Sequence, residues 1–97
     1  MTNIKSYNGL FIISPDKKDS LGEVKLSIGS IISENSGNVA RENEIGEKKL
    51  AYPIQKKTEG IYYEVSFTAP SESIEKMTRQ FKINTDIMRT LISAVEK

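Results

Sequence analysis

The feature that most constrains this chain is the alternation of residue types over residues 61–67. Apolar side chains occupy every second position: Ile61, Tyr63, Val65 and Phe67. The positions between them hold Tyr62, Glu64 and Ser66. Because successive side chains of a strand point to opposite faces, this pattern predicts a strand with one face in a core and the other toward solvent. A sheet of such strands needs a covering layer on one face only.

Two segments are predicted to supply that layer as amphipathic helices. The first begins where Ser20 and Glu23 match a capping box. Its apolar stripe recurs at helical spacing: Leu21, Val24, Ile28, Ile31 and Ile32. The second follows Pro70, ends near Asn84 and has the stripe Ile74, Met77 and Phe81. Each stripe has the spacing that places one helical face against a core.

Two glycines near the first helix carry structural expectations. Gly29 lies inside the helix, where glycine costs about 1 kcal/mol relative to alanine, so we expect it to permit a close helix–sheet contact. Gly37 suits the left-handed conformation that often follows the end of a helix.

The remaining segments complete an α+β fold. Strands are predicted over residues 7–13, 38–54 and 87–95, and residues 56–60 supply the turn before the strand at 61–67. Pro53 cannot donate a hydrogen bond to a neighbouring strand, so the second strand is expected at an edge. Right-handed crossovers place the first and third strands in the centre. The order β-α-β-β-α-β predicts a ferredoxin-like fold, a four-stranded antiparallel sheet with two helices on one face. The 97 residues are expected to form one such domain, residues 1–97.

The composition excludes several classes of function. The chain has no cysteine and no histidine, which rules out disulfides, thiolate metal sites and the commonest general base. Carboxylates such as Glu42, Glu44 and Glu47 have no nucleophile or metal-ligand spacing beside them. We therefore predict a protein that is not an enzyme and needs no cofactor. The longest apolar run, residues 10–13, is too short to span a membrane, and no signal peptide is recognisable, so a cytoplasmic location is expected.

The sheet face opposite the helices is the strongest candidate for a functional surface. By strand alternation, four apolar side chains share that outer face: Leu10, Ile12, Tyr62 and Leu91. We call these four residues the outer-face patch, and Arg89 is expected at its rim. An exposed apolar patch of this kind indicates a protein-docking site. Ile12, near the centre, is expected to meet water in the free protein, so that the fold would tolerate an aspartate there.

Nucleic-acid binding is a second possibility on the same elements. Four lysines lie near the end of the second strand: Lys48, Lys49, Lys56 and Lys57. They could contact phosphates, or they could simply protect an edge strand against aggregation. Base stacking of the RNA-recognition-motif type is disfavoured, because Tyr62 is the single outward aromatic of its strand and Glu64 would repel phosphate. The net charge of +1 also argues against nonspecific coating of nucleic acid.

A small-molecule-binding regulatory domain of the same fold is the remaining alternative. Such a domain usually has a glycine-rich segment after its first strand to form the ligand pocket. Here that segment is Ser14-Pro15-Asp16, which contains no glycine and gives little support for such a pocket.

One string of residues suggests a family. Residues 46–54 are Gly-Glu-Lys-Lys-Leu-Ala-Tyr-Pro-Ile, followed by Lys56 and Gly60. This resembles the hallmark of the bacterial small-subunit ribosomal protein number six family. The similarity extends over almost the whole chain, from Tyr7 and Pro15 to an arginine, Arg89, in the last strand. Two positions depart from the family pattern: Gly9 replaces a bulky core residue, and Glu64 replaces a commonly aromatic or apolar one.

The resemblance implies a structural role in the ribosome. Members of that family have a ferredoxin-like fold, pair with ribosomal protein number eighteen and bind the central domain of 16S rRNA on the platform of the small subunit. By position, the resemblance makes Arg89 and Lys5 candidate RNA contacts, with Lys48 and Lys49 as weaker ones. The pairing with ribosomal protein number eighteen is expected to use the outer-face patch: Leu10, Ile12, Tyr62 and Leu91.

Overall fold

The computed structural model describes residues 4–54 and 56–95. Its helices and strands are β1 Ile4–Ile13, α1 Leu21–Glu34, β2 Asn38–Ile54, β3 Lys57–Pro70, α2 Ile74–Ile83 and β4 Ile87–Ala94. The strands form one antiparallel sheet in the order β2-β3-β1-β4. The ferredoxin-like prediction is therefore confirmed, with β1 and β3 in the centre and β2 at an edge. Neither α1 nor α2 is long and apolar enough to cross a membrane.

The core lies between the sheet and the two helices. Within residues 61–67 of β3, the inward side chains are all buried: Ile61, Tyr63, Val65 and Phe67. The stripes of both helices pack against them, with Val24 and Ile28 of α1 and Met77 of α2 buried. The ring of Phe11 meets that of Phe81 edge to face, with centroids 4.8 Å apart. The alternation in the sequence thus identifies the core face of the sheet correctly.

The space left by Gly9 is filled by aromatic rings. A Cβ atom at Gly9 would lie 3.1 Å from Cε2 of Phe11 and 3.4 Å from Cε1 of Phe67. The ring of Tyr7 stacks on that of Phe67, with centroids 5.7 Å apart. The two phenylalanines therefore occupy much of the volume that a larger residue at position 9 would need.

The start of α1 differs from the predicted capping box. Ser20 holds the N-cap position but makes no capping hydrogen bond with its side chain. Its φ and ψ angles of −110° and 19° differ from the extended conformation that directs an N-cap hydroxyl at the first turn. A 3₁₀ segment at Pro15–Ser20 leads into the helix instead. The hydroxyl of Ser14 accepts a hydrogen bond from the Asp16 amide, 3.4 Å away, at its start.

Three glycines have roles other than the predicted ones. Gly29 has open space where a Cβ would stand, so it makes no close helix–sheet contact. The left-handed residue after α1 is Ser36, with φ of 64°, rather than Gly37. Gly37 is needed for close approach, because a Cβ there would lie 2.7 Å from Cγ2 of Ile32. Gly60 lies within β3 and is buried, since the turn closes earlier, at the pair of Ile54 with Lys57.

A polar cluster attaches the edge strand β2 to the core. Lys25 of α1 forms an ion pair with Glu44 of β2, and its ammonium lies 5.4 Å from the centroid of the Tyr63 ring. The Tyr63 hydroxyl donates a hydrogen bond to Glu42. Burial raises the pKa of Tyr63 well above its ordinary value, and the carboxylates of Glu42 and Glu44 raise it further.

The raised pKa of Tyr63 predicts a loss of stability in alkali. The folded state favours the neutral phenol of Tyr63. The contribution of this group to the free energy of unfolding is therefore fully present below about pH 10, where the unfolded chain also keeps the proton. Above that pH the unfolded chain ionises first, and the free energy of unfolding falls. Chemical denaturation from pH 9 to 11.5 should show a shallower decline for Tyr63→Phe than for the wild type. Equal slopes would contradict the prediction.

A second prediction concerns Thr90 of β4. Thr90 pairs with Phe11 on the helix-facing side, and its buried hydroxyl has no hydrogen-bond partner within residues 4–54 and 56–95. Valine has nearly the same shape and removes this group, so Thr90→Val should raise the free energy of unfolding by about 1 kcal/mol. Thr78→Val is the control, because the Thr78 hydroxyl donates to the Ile74 carbonyl at 2.8 Å. If urea denaturation shows a higher free energy of unfolding for Thr78→Val but not for Thr90→Val, the Thr90 hydroxyl is not the unsatisfied group.

Candidate docking surface

The outer-face patch forms as one continuous surface. Leu10 pairs with Leu91 of β4 on one side and with Glu64 of β3 on the other. Ile12 pairs in the same way with Arg89 and Tyr62. Residues paired across antiparallel strands share a face, so the predicted placement of the patch away from the helices is correct. A groove of about 210 Å³ runs over this surface.

The end of β2 contributes a wall of the groove that sequence reasoning missed. Lys49 pairs with Glu59 and Ile54 pairs with Lys57, so the four residues 50–53 stand opposite one residue of β3. This bulge brings four further apolar side chains to the groove: Leu50, Ala51, Tyr52 and Ile54. Pro53 was the available signal, because a residue that cannot pair often marks an irregularity in a strand.

Ile12 was expected to meet water, but its side chain is only 5% exposed. A Cβ at Gly60 would lie 2.5 Å from Cγ2 of Ile12, 3.2 Å from Cε of Met88 and 3.5 Å from Cδ2 of Leu50. We call Ile12, Leu50, Gly60 and Met88 the outer cluster. Met88 reaches it from a bulge in β4, where Ile12 pairs with Arg89 but Ile13 pairs with Ile87. The exposure on which the expected tolerance of an aspartate at position 12 depends is therefore wrong.

The other members of the outer-face patch remain accessible. Leu91 is 44% exposed, and Leu10 and Tyr62 are half-buried. Arg89 is exposed beside them, and its guanidinium donates a hydrogen bond to the Tyr52 hydroxyl. This contact connects β4 to the end of β2 across the groove. The surface therefore has an apolar floor, accessible leucine and tyrosine side chains, and a positioned cation.

The four candidate RNA contacts are exposed but do not form one site. Lys48 pairs with Gly60, so it shares the outer face with Arg89. Lys49 pairs with Glu59, whose side chain is on the helix-facing side of β3. Lys5 pairs with the buried Ala69, also on the helix-facing side. It lies seven residues from Ile12 along β1, roughly 23 Å at strand spacing. The structure thus brings together Arg89, Lys48 and the patch, and it separates Lys5 from them.

A polar strip borders the patch at its other end. The Asn8 amide nitrogen donates to the Glu64 carboxylate at 3.3 Å, and the Ser66 hydroxyl donates to the Asn8 amide oxygen at 3.3 Å. All three side chains are half-buried on the outer face. This strip separates the apolar groove from the far end of the sheet, where Lys5 lies.

Comparison with known proteins places these features in a family context. Residues 6–94 match the model of the family described as ribosomal protein S6. The small ribosomal subunit protein bS6 of Campylobacter hominis is 38% identical over 89 residues, which are 91% of this chain and 61% of that protein. The bS6 protein of Pseudarthrobacter chlorophenolicus is 35% identical over 95 residues, which are 97% of this chain and 94% of that protein. The chain thus spans about three-fifths of the length of the first relative and nearly all of the second.

The structural comparison agrees with the fold. The crystal structure of 30S ribosomal protein S6 from Thermotoga maritima superposes with a TM-score of 0.85 at 23% identity, covering 96% of this chain and 89% of that one. The C-terminal domain of the MgtC protein from Mycobacterium tuberculosis reaches a TM-score of 0.66 at 12% identity, with the same coverage. Both similarities concern the arrangement of helices and strands.

Proposed function

Because this chain belongs to the ribosomal protein S6 family, we propose that it is a structural component of the small ribosomal subunit, acting in the cytoplasm. Its role is to dock onto other ribosomal components, without a reaction and without a cofactor. The observation that carries this proposal is the apolar groove on the sheet face that no helix covers. Leu10, Tyr62 and Leu91 line it, and they are accessible to a binding partner.

The protein partner in this proposal is ribosomal protein number eighteen. The family resemblance implies this pairing, and the groove offers a suitable surface for it. An apolar floor with an aromatic ring and an arginine at its edge has the composition typical of protein-binding sites. Leu91 would lose its remaining water contact on docking, and each square ångström of apolar surface so covered contributes roughly 25 cal/mol.

The RNA partner in this proposal is 16S rRNA. Arg89 and Lys48 lie on the same face as the groove and are the favoured phosphate contacts. Lys49 and Lys5, on the helix-facing side, would need to meet a different part of the RNA. With a net charge of +1, the protein alone neutralises few phosphates, so we expect it to bind RNA together with its partner rather than alone.

Binding to a fragment of the 16S rRNA platform tests this function. The fragment is titrated with this protein, with ribosomal protein number eighteen and with both, at several salt concentrations. We expect tight binding only with both proteins, and weak binding with a shallow salt dependence for this protein alone. Tight, steeply salt-dependent binding by this protein alone would contradict the shared role. Failure to co-sediment with small ribosomal subunits would contradict the ribosomal assignment itself.

A further inference from the structure

We propose that the protein segment that docks on the outer face presents a lysine or arginine side chain to Glu64. This inference rests on the proposed function, since it concerns the same surface. It adds a chemical requirement on the partner: the segment is amphipathic, with apolar residues for the groove and one cation at a fixed distance from them. It concerns a position at which the family resemblance implies a commonly aromatic or apolar residue.

Glu64 lies on the outer face beside the apolar patch. Its neighbours in register are Leu10 of β1 and Asn43 of β2, and Leu91 stands on the far side of Leu10. The carboxylate is half-buried, and among residues 4–54 and 56–95 it accepts one hydrogen bond, from Asn8. In the described part of the chain, the ion pairs join Lys17 to Asp86, Lys25 to Glu44, Lys57 to Asp16 and Arg79 to Glu75, so Glu64 has no cation within 4 Å.

Binding of a partner to this surface would desolvate the Glu64 carboxylate. Side chains of directly paired strand residues are about 5 Å apart at Cβ, so a partner that covers Leu10 also removes water from Glu64. A carboxylate has about four acceptor positions, and Asn8 fills one of them. An ionised carboxylate that loses water without a counter-charge strongly disfavours binding. Arg41, diagonally placed on β2, makes no ion pair with Glu64 in the described residues. A stable complex on this surface therefore needs a cation from the partner at Glu64, and the two-pronged guanidinium of arginine fits it best.

The position of Glu64 also decides between protein and RNA as the occupant of this end of the face. A phosphate placed over Leu10 and Leu91 would meet the Glu64 carboxylate and be repelled. Two cations of the outer face, Arg89 and Lys48, lie toward the other end, near the outer cluster, whereas Arg41 of β2 pairs with Ser66, two residues along β3 from Glu64. The Glu64 carboxylate therefore favours a basic protein segment over Leu10 and Leu91, and Arg89 and Lys48 favour RNA at the other end of the face.

The test is calorimetric titration with ribosomal protein number eighteen. Glu64→Gln keeps the shape of the side chain and an acceptor for Asn8, and it should lower the affinity at least tenfold. Glu64→Lys should lower it at least a hundredfold, because the like charges repel. The matched control is Glu59→Gln, which removes the same charge from the opposite face of β3 and should change the affinity less than twofold. The affinity of the wild type should also fall more with salt than that of Glu64→Gln.

The outcomes separate this inference from the function on which it rests. Wild-type protein that fails to bind ribosomal protein number eighteen would overturn both. Wild type that binds, loses binding with Leu91→Lys and is indifferent to Glu64→Gln would overturn the inference alone. Restored binding between Glu64→Lys and a partner whose basic residue is changed to glutamate would support it directly. Unchanged partner binding by Glu64→Lys, together with tighter rRNA binding, would assign this end of the face to RNA instead.

Discussion

Replacing Ile12 with aspartate is expected to lower the free energy of unfolding by at least about 3 kcal/mol. The side chain is 5% exposed in the outer cluster, against Gly60, Leu50 and Met88. The substitution removes apolar packing and places a carboxylate among these side chains, while the guanidinium of the paired Arg89 is already engaged by the Tyr52 hydroxyl. A domain of this size is stable by roughly 5–15 kcal/mol, so the change removes a large part of the total. Urea denaturation followed by circular dichroism measures it.

Leu91→Asp is the control for this prediction. Leu91 lies on the same face but is 44% exposed, so its aspartate stays hydrated and the free energy of unfolding should change by no more than about 1 kcal/mol. A fully folded Ile12→Asp variant with the wild-type midpoint would mean that the outer cluster opens readily to water. It would then restore the simpler view in which Ile12 is a freely exposed docking residue.

Leu91→Lys is expected to weaken binding to ribosomal protein number eighteen at least a hundredfold while leaving the fold intact. Leu91 is the most exposed member of the outer-face patch, and lysine is well tolerated on an edge strand. In the complex its ammonium would be taken out of water against an apolar surface, which costs several kcal/mol of binding. Lysine is preferred to aspartate, because an aspartate beside Leu10 could share the cation proposed for Glu64. Titration calorimetry and a thermal melt measure the two effects.

Leu26→Lys is the matched substitution on the other side of the molecule. Leu26 is 73% exposed on α1, so this variant gains the same charge away from the outer face. It should bind ribosomal protein number eighteen as the wild type does. If Leu26→Lys weakens binding while Leu91→Lys does not, the docking surface is on the helices, and the outer-face patch has another use.

The sequence predicted the two faces of the sheet well, because alternation is a local property. Tyr63 and Phe67 are buried, Tyr62 and Glu64 face outward, and Pro53 lies in an edge strand as expected. Two signals were enough to predict the order of the strands: the right-handed crossover connections and the edge preference of Pro53. These successes depend on rules that act within a few residues or on the general handedness of the chain.

The cover over Ile12 could not be predicted in the same way. It depends on a four-residue bulge in β2 and a second bulge at Met88, which bring distant segments to one point. Neither bulge changes the pattern of apolar and polar residues near Ile12. The role of Gly60 also depends on a distant segment. A glycine near a turn suggests the turn itself, whereas here the missing side chain makes room for Ile12.

The candidate site was predictable in part. The outer-face placement of Leu10, Tyr62, Leu91 and Arg89 followed from strand alternation. The wall formed by Leu50, Tyr52 and Ile54, and the contact between Tyr52 and Arg89, depend on how the bulged end of β2 leans across the sheet. The separation of Lys5 from Arg89 depends on register, which requires knowing which residues are paired.

The bulged end of β2 makes binding and local order inseparable on this surface. Leu50 belongs to the outer cluster with Ile12, and the same segment forms a wall of the groove through Leu50, Ala51, Tyr52 and Ile54. The segment is part of an edge strand that pairs on one side only. If this end of the strand detaches transiently, the groove loses a wall and the outer cluster loses Leu50 at the same moment. A partner that binds the intact groove must therefore slow that opening, and amide hydrogen exchange at the β2–β3 hairpin reports it. Substitutions at these positions will change the affinity for the partner in two ways. They alter direct contacts, and they alter the fraction of molecules in which this end of β2 is attached to the sheet.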